Sequence, residues 1–222
     1  MAQVLTVNVG SAEPNLGSRR GGVTGIGKRP VGGRVAVRSP GPKRGGLGSG
    51  IVGDAVCNQR HHGGDDQALY AFAREDLDAW EARLGRELPN GMFGENLTTM
   101  GIDLNAARIG EIWTIGEPQR RAPVRVQITD PRIPCATFQA RIGVRGWVKT
   151  FTAAGRPGTY LRILTPGTIG AGDVITVEHR PSHDVTVAHA FAALTTRPEL
   201  LAGLAAAGDD LSAELRATVA AG

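Results

Sequence analysis

The segment Asp130-Pro131-Arg132-Ile133-Pro134-Cys135 concentrates the chain's reactive chemistry. Two prolines fix the backbone on either side of Arg132, so Cys135 is expected on a stiff loop directly after a strand ending at Thr129. A guanidinium nearby favours thiolate over thiol, and thiolate is the form that attacks a substrate or binds a soft metal. A small buried cysteine is the competing reading. In Phe93-Gly94-Glu95-Asn96-Leu97-Thr98, Glu95 and Asn96 place a carboxylate beside a carboxamide at a strand entrance. Such a pair can accept and donate hydrogen bonds along the edge of a heterocycle. His61-His62-Gly63-Gly64-Asp65-Asp66 holds four metal-ligating side chains, but adjacent side chains diverge. A capping turn in which a histidine bonds a buried group or ligand is the favoured reading there. Gly22 to Arg29 approaches the phosphate loop G-x-x-x-x-G-K-[ST], yet Arg29 stands where the hydroxyl belongs and no clear strand leads in. That disfavours a nucleotide hydrolase and leaves glycines beside Lys28 and Arg29 able to hold a single phosphate.

These residues need a scaffold, and the composition says which kind. Glycine (32) and proline (13) fill about a fifth of the 222 positions, a density that suits short elements joined by turns. Val4, Leu5, Val7 and Val9 predict a first strand, stopped by Gly10; Arg34 to Arg38 and Ile112 to Ile115 predict two more. Val124, Val126 and Ile128 alternate with Arg125, Gln127 and Thr129, the period of a half-buried strand. Tyr160 to Leu164 and Val174 to Glu178 complete the set, the last announced by the turn at Gly170 to Asp173. A mainly β protein follows, a mostly antiparallel barrel. One inserted helix is expected, because Leu69, Phe72, Ala73, Leu77, Trp80 and Leu84 recur at helical steps, with Asp65 or Asp66 to cap it and Gly85 to end it. From about residue 183 alanine and leucine dominate, which predicts a small C-terminal appendage of two or three helices, with starts at Asp209-Asp210 and Ser212.

Charge is distributed unevenly. Residues 1–50 hold eight Lys/Arg, Arg19 and Arg20 among them, against the single acid Glu13, whereas the remainder carries 17 basic and 20 acidic residues. The basic quarter suits an anion. With 5% aromatic residues and none interleaved between residues 10 and 50, stacking on nucleic-acid bases is not expected. Two cysteines, Cys57 and Cys135, cannot supply an iron–sulfur cluster or a four-cysteine zinc site. No apolar run approaches the ~20 residues of a membrane span, and no export signal is legible, so a cytoplasmic protein with reduced thiols is expected.

Four segments in order, Gly50-Ile51-Val52-Gly53-Asp54, His62-Gly63-Gly64, Phe93 to Thr98 and Pro131 to Cys135, make a sequence that closely resembles the MOSC family, the molybdenum cofactor sulfurase C-terminal domain, in its bacterial stand-alone form. Ile26 to Val31, Gly155 to Tyr160 and His183 to Val187 extend the likeness over nearly the whole chain. The resemblance implies a pyruvate-kinase-barrel-like β-barrel over residues 1–182 and a three-helix extension over residues 183–222. It also implies the molybdenum cofactor, a pterin with a dithiolene and a phosphate, and reduction of N-hydroxylated compounds such as 6-hydroxylaminopurine. Carried over by motif, Cys135 is the catalytic thiolate on molybdenum. Lys28, Arg38 and Arg132 are candidate partners of the phosphate or pterin, Arg38 on charge and strand position alone, with His62, Glu95 and Asn96 lining the site. Residues 141–151 are expected to shape the substrate mouth, and Cys57 falls outside the pattern, a packed cysteine being favoured over a sulfur relay. Because no room exists for a desulfurase domain, pyridoxal phosphate is not expected. A separate flavin or iron–sulfur reductase is expected as electron donor, and a homodimer stays open. A non-catalytic cofactor carrier or sulfur-delivery module is the alternative.

Overall fold

A computed structural model describes residues 1–18, 21–116 and 123–221. Arg19 and Arg20 of the basic quarter lie outside the described residues. The chain opens with β1 (Gln3–Val9), the short pieces β2 (Glu13–Pro14), β3 (Val23–Thr24) and β4 (Arg29–Pro30), and β5 (Arg34–Val37). A long glycine-rich connection leads to β6 (Leu69–Ala73), α1 (Arg74–Leu84), β7 (Leu97–Met100), β8 (Ile112–Ile115) and β9 (Val124–Pro131). Two helices follow, α2 (Ala136–Ile142) and α3 (Trp147–Ala154), then β10 (Thr159–Thr165), β11 (Gly167–Gly170) and β12 (Ile175–His179). The chain ends in α4 (Val187–Thr195), a 3-10 stretch over Pro198–Asp210 and α5 (Ala213–Ala221).

Eight strands form one mixed sheet in the order β12-β8-β9-β10-β6-β7-β1-β4, antiparallel except where β6 meets β7. Among the described residues no continuous ladder closes it into a barrel. Its two ends nevertheless meet: Gln3 bridges Val174, and Val4 N–H donates to the Asp173 carbonyl at 2.9 Å. β5 sits outside this sheet, paired with β11, which the sequence reading does not anticipate.

The expected helix over Leu69 to Leu84 is corrected at its first half. Residues 69–73 are a strand because both of its faces are covered. Leu69, Ala71 and Ala73 join the main core, while Tyr70 and Phe72 enter an aromatic cluster on the opposite face. A run buried on both faces loses its alternation, so its apolar residues mimic a helical stripe. The helix proper starts at Arg74, serves as the crossover that parallel strands require, and ends where Gly85 adopts φ 63°. Asp66 caps nothing there; it pairs with Arg162.

A single inserted helix is likewise too few. α2 and α3 contribute Phe138, Ile142, Trp147 and Phe151 to the aromatic cluster, which gathers eight of the chain's ten aromatic residues when the flanking Tyr160 is counted. From residues 141–151, then, Ile142, Trp147 and Phe151 are buried in this core, and none of the stretch lines the cavity described below. At the C-terminus Thr186 caps α4, accepting from His189 N–H at 3.1 Å, and Ser212 caps α5, accepting from Leu215 N–H at 3.1 Å. Between them the chain is 3-10 rather than α-helical, and Gly208 interrupts it. Among the described residues no helix is long and apolar enough to cross a membrane.

Candidate functional site

A cavity of about 500 Å³ opens beside the β2–β3 hairpin, and its wall brings together Lys28, His62, Asn96 and the pair Arg132 and Cys135 from four separate segments. That volume lies in the range of small-molecule and cofactor sites. Arg38 is not among them: it is exposed at the end of β5. Glu95 is buried behind the wall rather than in it.

Asp54, the last residue of the Gly50–Asp54 motif and one with no role legible from sequence, organises one side. Its Oδ1 accepts from Lys28 Nζ at 2.5 Å and from Gly10 N–H at 2.9 Å. Its Oδ2 accepts from Ser49 Oγ at 2.7 Å and Asn96 Nδ2 at 2.9 Å. Asn96 in turn accepts from Tyr70 N–H through its Oδ1 at 3.1 Å, so a single carboxylate fixes Lys28 and Asn96 and links them to β6. Lys28 reaches this position because its backbone is clamped by Gly91, where an added Cβ would lie 2.6 Å from the Lys28 carbonyl oxygen. Gly91 has φ 86°, and only glycine combines that backbone with that approach.

Glu95 performs a related task one layer back. Its carboxylate accepts from Gly91 N–H at 2.5 Å, Phe93 N–H at 3.0 Å and Thr98 Oγ1 at 3.0 Å, holding the turn that delivers Asn96. Burial raises its pKa and these bonds oppose the rise.

Arg132 dominates the other side. It is 5% exposed, its guanidinium lies 3.6 Å from the centre of the Phe138 ring, and Tyr70 and Phe151 complete an aromatic enclosure at 5.5 and 6.0 Å. Among the described residues no carboxylate pairs with it, and its Nη1 has no hydrogen-bond partner. Cation–π contact offsets part of the desolvation, about 1–2 kcal/mol, whereas burying an unpaired charge costs several. Such a cation calls for an anion from outside the chain.

Cys135 stands at the N-cap of α2, with β9 running on to Pro131 instead of stopping at Thr129. Its thiol is half-buried against the aromatic cluster and borders the cavity. Cys57 borders the same cavity, and burial pushes its thiol up. His62 is held neutral: burial first, then the Arg132 charge, lowers its pKa to about 4. Tyr160 also lines the space, and burial raises its hydroxyl to about 12. Gln67 adds a buried Oε1 with no partner among the described residues. Of these, Tyr160 ends the Gly155–Tyr160 segment that carries part of the family likeness, whereas Gln67 has no sequence signal beyond its nearness to the His62 motif.

The chain is 29% identical over 184 residues to YflK of Bacillus subtilis (strain 168), spanning 83% of this chain and 76% of that protein. It is 29% identical over 150 residues to the protein YiiM of Escherichia coli (strain K12), spanning 64% of this chain and 62% of YiiM. A reductase of Gibberella moniliformis is 29% identical over 137 residues, but the chain spans only 23% of its length. The crystal structure of YiiM from Geobacillus stearothermophilus superposes with a TM-score of 0.76 at 25% identity, covering 100% of this chain and 98% of that one. The E. coli YiiM structure gives 0.71 at 21% identity, covering 100% and 92%. The model of the MOSC domain family matches residues 58–176, more than half of the chain and the whole stretch that carries His62, Asn96, Arg132 and Cys135. The protein therefore belongs to the MOSC domain family.

Proposed function

We propose that the cavity holds the molybdenum cofactor and that the protein reduces N-hydroxylated compounds, with the thiolate of Cys135 as the protein ligand to the metal. The observation that carries the reading is Arg132, a buried cation with no counter-ion among the described residues, in the wall that also presents Cys135. The charge balance sharpens it. Lys28 is neutralised by Asp54, and His62 is uncharged at neutral pH, so Arg132 is the uncompensated charge among the described lining residues. An anionic phosphate or an ionised pterin edge supplies what it lacks. Lys28 and Asn96 then act as fixed donors on the opposite wall, their directions set by Asp54.

When bound, the cofactor would supply the two-electron reduction that N–O cleavage needs. Converting a hydroxylamine to an amine also takes up two protons and releases one water. Tyr160 keeps its hydroxyl proton throughout the physiological range, and neutral His62 offers an N–H on the same cavity wall, so both can donate hydrogen bonds to the substrate oxygen while the two protons come from water. The aromatic cluster beneath Arg132 keeps water from screening that charge. Electrons come from a separate flavin or iron–sulfur reductase, since the chain's two thiols hold no cluster.

The test is expression in a host that makes the cofactor, followed by molybdenum analysis and turnover of 6-hydroxylaminopurine with a reduced donor. Near-stoichiometric molybdenum and turnover are expected. Cys135→Ser should lose both while keeping its fold. Arg132→Met should lose the cofactor yet raise the stability of the cofactor-free protein by about 1–3 kcal/mol, because an uncompensated buried charge is removed. Well-folded protein devoid of molybdenum would overturn the reading, and bound cofactor without turnover would favour the carrier alternative.

A further inference from the structure

Ser212 is fully buried and uses its one hydroxyl twice. Its Oγ accepts from Leu215 N–H, capping α5, and donates to Asp130 Oδ1 at 2.7 Å. Asp130 lies near the end of β9, two residues before Arg132 and five before Cys135. A second tie runs alongside: Ala213 N–H donates to Asp66 Oδ2 at 3.3 Å. Asp66 is held by Arg162 Nε at 2.8 Å, and its backbone carbonyl accepts from Thr129 Oγ1 at 2.5 Å. Asp66 directly precedes Gln67 and sits in the segment that carries His62. Ser212 and Ala213, at the start of α5, thus grip two of the segments that line the cavity, the one carrying His62 and Gln67 and the one carrying Arg132 and Cys135. A third contact, Lys43 Nζ to Glu214 at 2.5 Å, closes the rim.

The burial of α5 argues against a purely packing role. Leu215 is its one buried residue, while most of its other positions are exposed. What orders this helix against the body is directional and polar, and it converges on two carboxylates. The path onward is stiff, because Pro131 and Pro134 remove backbone freedom between Asp130 and Cys135. A displacement at Asp130 is therefore passed along the loop. The crevice here, about 700 Å³, is also bordered by Asp65, Asp209 and Arg216, so the tie sits within a dense charge network.

We propose that the start of α5 is a latch that positions the Arg132–Cys135 loop, with Ser212 and Asp130 as its positioning residues. The proposal rests on the assignment of this loop as the ligand-binding element, but not on which ligand binds. It is tested on the full chain made in a host that cannot synthesise the molybdenum cofactor. The readout is the rate of Cys135 alkylation by iodoacetamide, followed by peptide mass spectrometry so that Cys57 is counted separately. Ser212→Ala and Asp130→Ala should release the loop and accelerate labelling of Cys135 about threefold or more. Ser212→Thr and Asp130→Asn, which keep a hydroxyl and an acceptor, should restore the slow rate. Leu204→Ala, which loosens the buried core elsewhere in the C-terminal region, should lower the melting temperature without the acceleration. If Asp130→Ala does not fold, the Ser212 pair decides alone. An unchanged or lower rate in Ser212→Ala, or the same acceleration in Leu204→Ala, overturns the latch, whatever the outcome of the molybdenum analysis.

Discussion

Arg132 and His62 show how one buried charge governs its neighbours. The guanidinium disfavours a second positive charge close by, and burial acts in the same direction, so the His62 imidazole stays neutral down to about pH 4 in the folded chain. Above pH 6.5 the folded and unfolded states both hold it uncharged, and it adds no pH dependence. As pH falls through 6.5 the unfolded chain takes up a proton that the fold refuses, so stability drops until about pH 4. His62→Gln should remove about 1–2 kcal/mol of that acid-side loss, a half-buried site deserving less than the full shift. Urea denaturation repeated between pH 4 and 7 measures it; an unaltered slope would mean that the imidazole is solvated after all. At this scale the sequence was informative where chemistry is local. Cys135, Arg132, His62 and Asn96 are motif residues and all reach the cavity. Arg38, chosen for its charge and its strand, does not, because β5 pairs outside the main sheet and no local pattern encodes that.

Among elements, the turn from Gly91 to Thr98 depends on a single side chain. Glu95 takes two backbone N–H groups and a hydroxyl that have no other acceptor within the turn, and the turn in turn aims Asn96. Glu95→Ala strands these buried donors and should cost about 2–4 kcal/mol in denaturant unfolding. Glu95→Gln, which keeps one acceptor oxygen, should cost roughly half as much. Equal stability of the two variants would show that the donors find water instead. Here too the sequence is legible in part. β9 alternates because one of its faces is half-exposed, and so it reads as a strand; β6 is buried on both faces and reads as helix. α2 and α3 escape because each is barely two turns long, too short for periodicity, and is held by aromatic packing with partners distant in sequence.

At the level of the whole molecule, the composition shift near residue 183 marks where strands give way to helices, but not how those helices are held. Val187, Ala190, Ala193, Leu204, Leu211 and Leu215 belong to the same core as β1, β8 and β9. Phe191 is also buried. Removing residues 187–221 would expose several large apolar side chains at about 1.5–3 kcal/mol each, on the order of 10 kcal/mol together, which matches the whole stability of an ordinary domain. Such a truncation is expected to lose cooperative unfolding in calorimetry. A sharp transition in the truncated chain would show that the sheet is self-sufficient. The pairing of β5 with β11 has a consequence in time. Val37 leaves the ribosome long before its partner Gly167, and β1 waits likewise for the Asp173–Ile175 edge that it meets. At about 5–20 residues per second this interval is on the order of ten seconds. Throughout it the N-terminal strands present unsatisfied edges to the cell. Arg29, Pro30 and Arg34 within β4 and β5, and the arginines, lysines and glycines of the connections between the strands, are features that resist edge-to-edge association, so the basic quarter would shield the nascent chain before any ligand can reach the cavity.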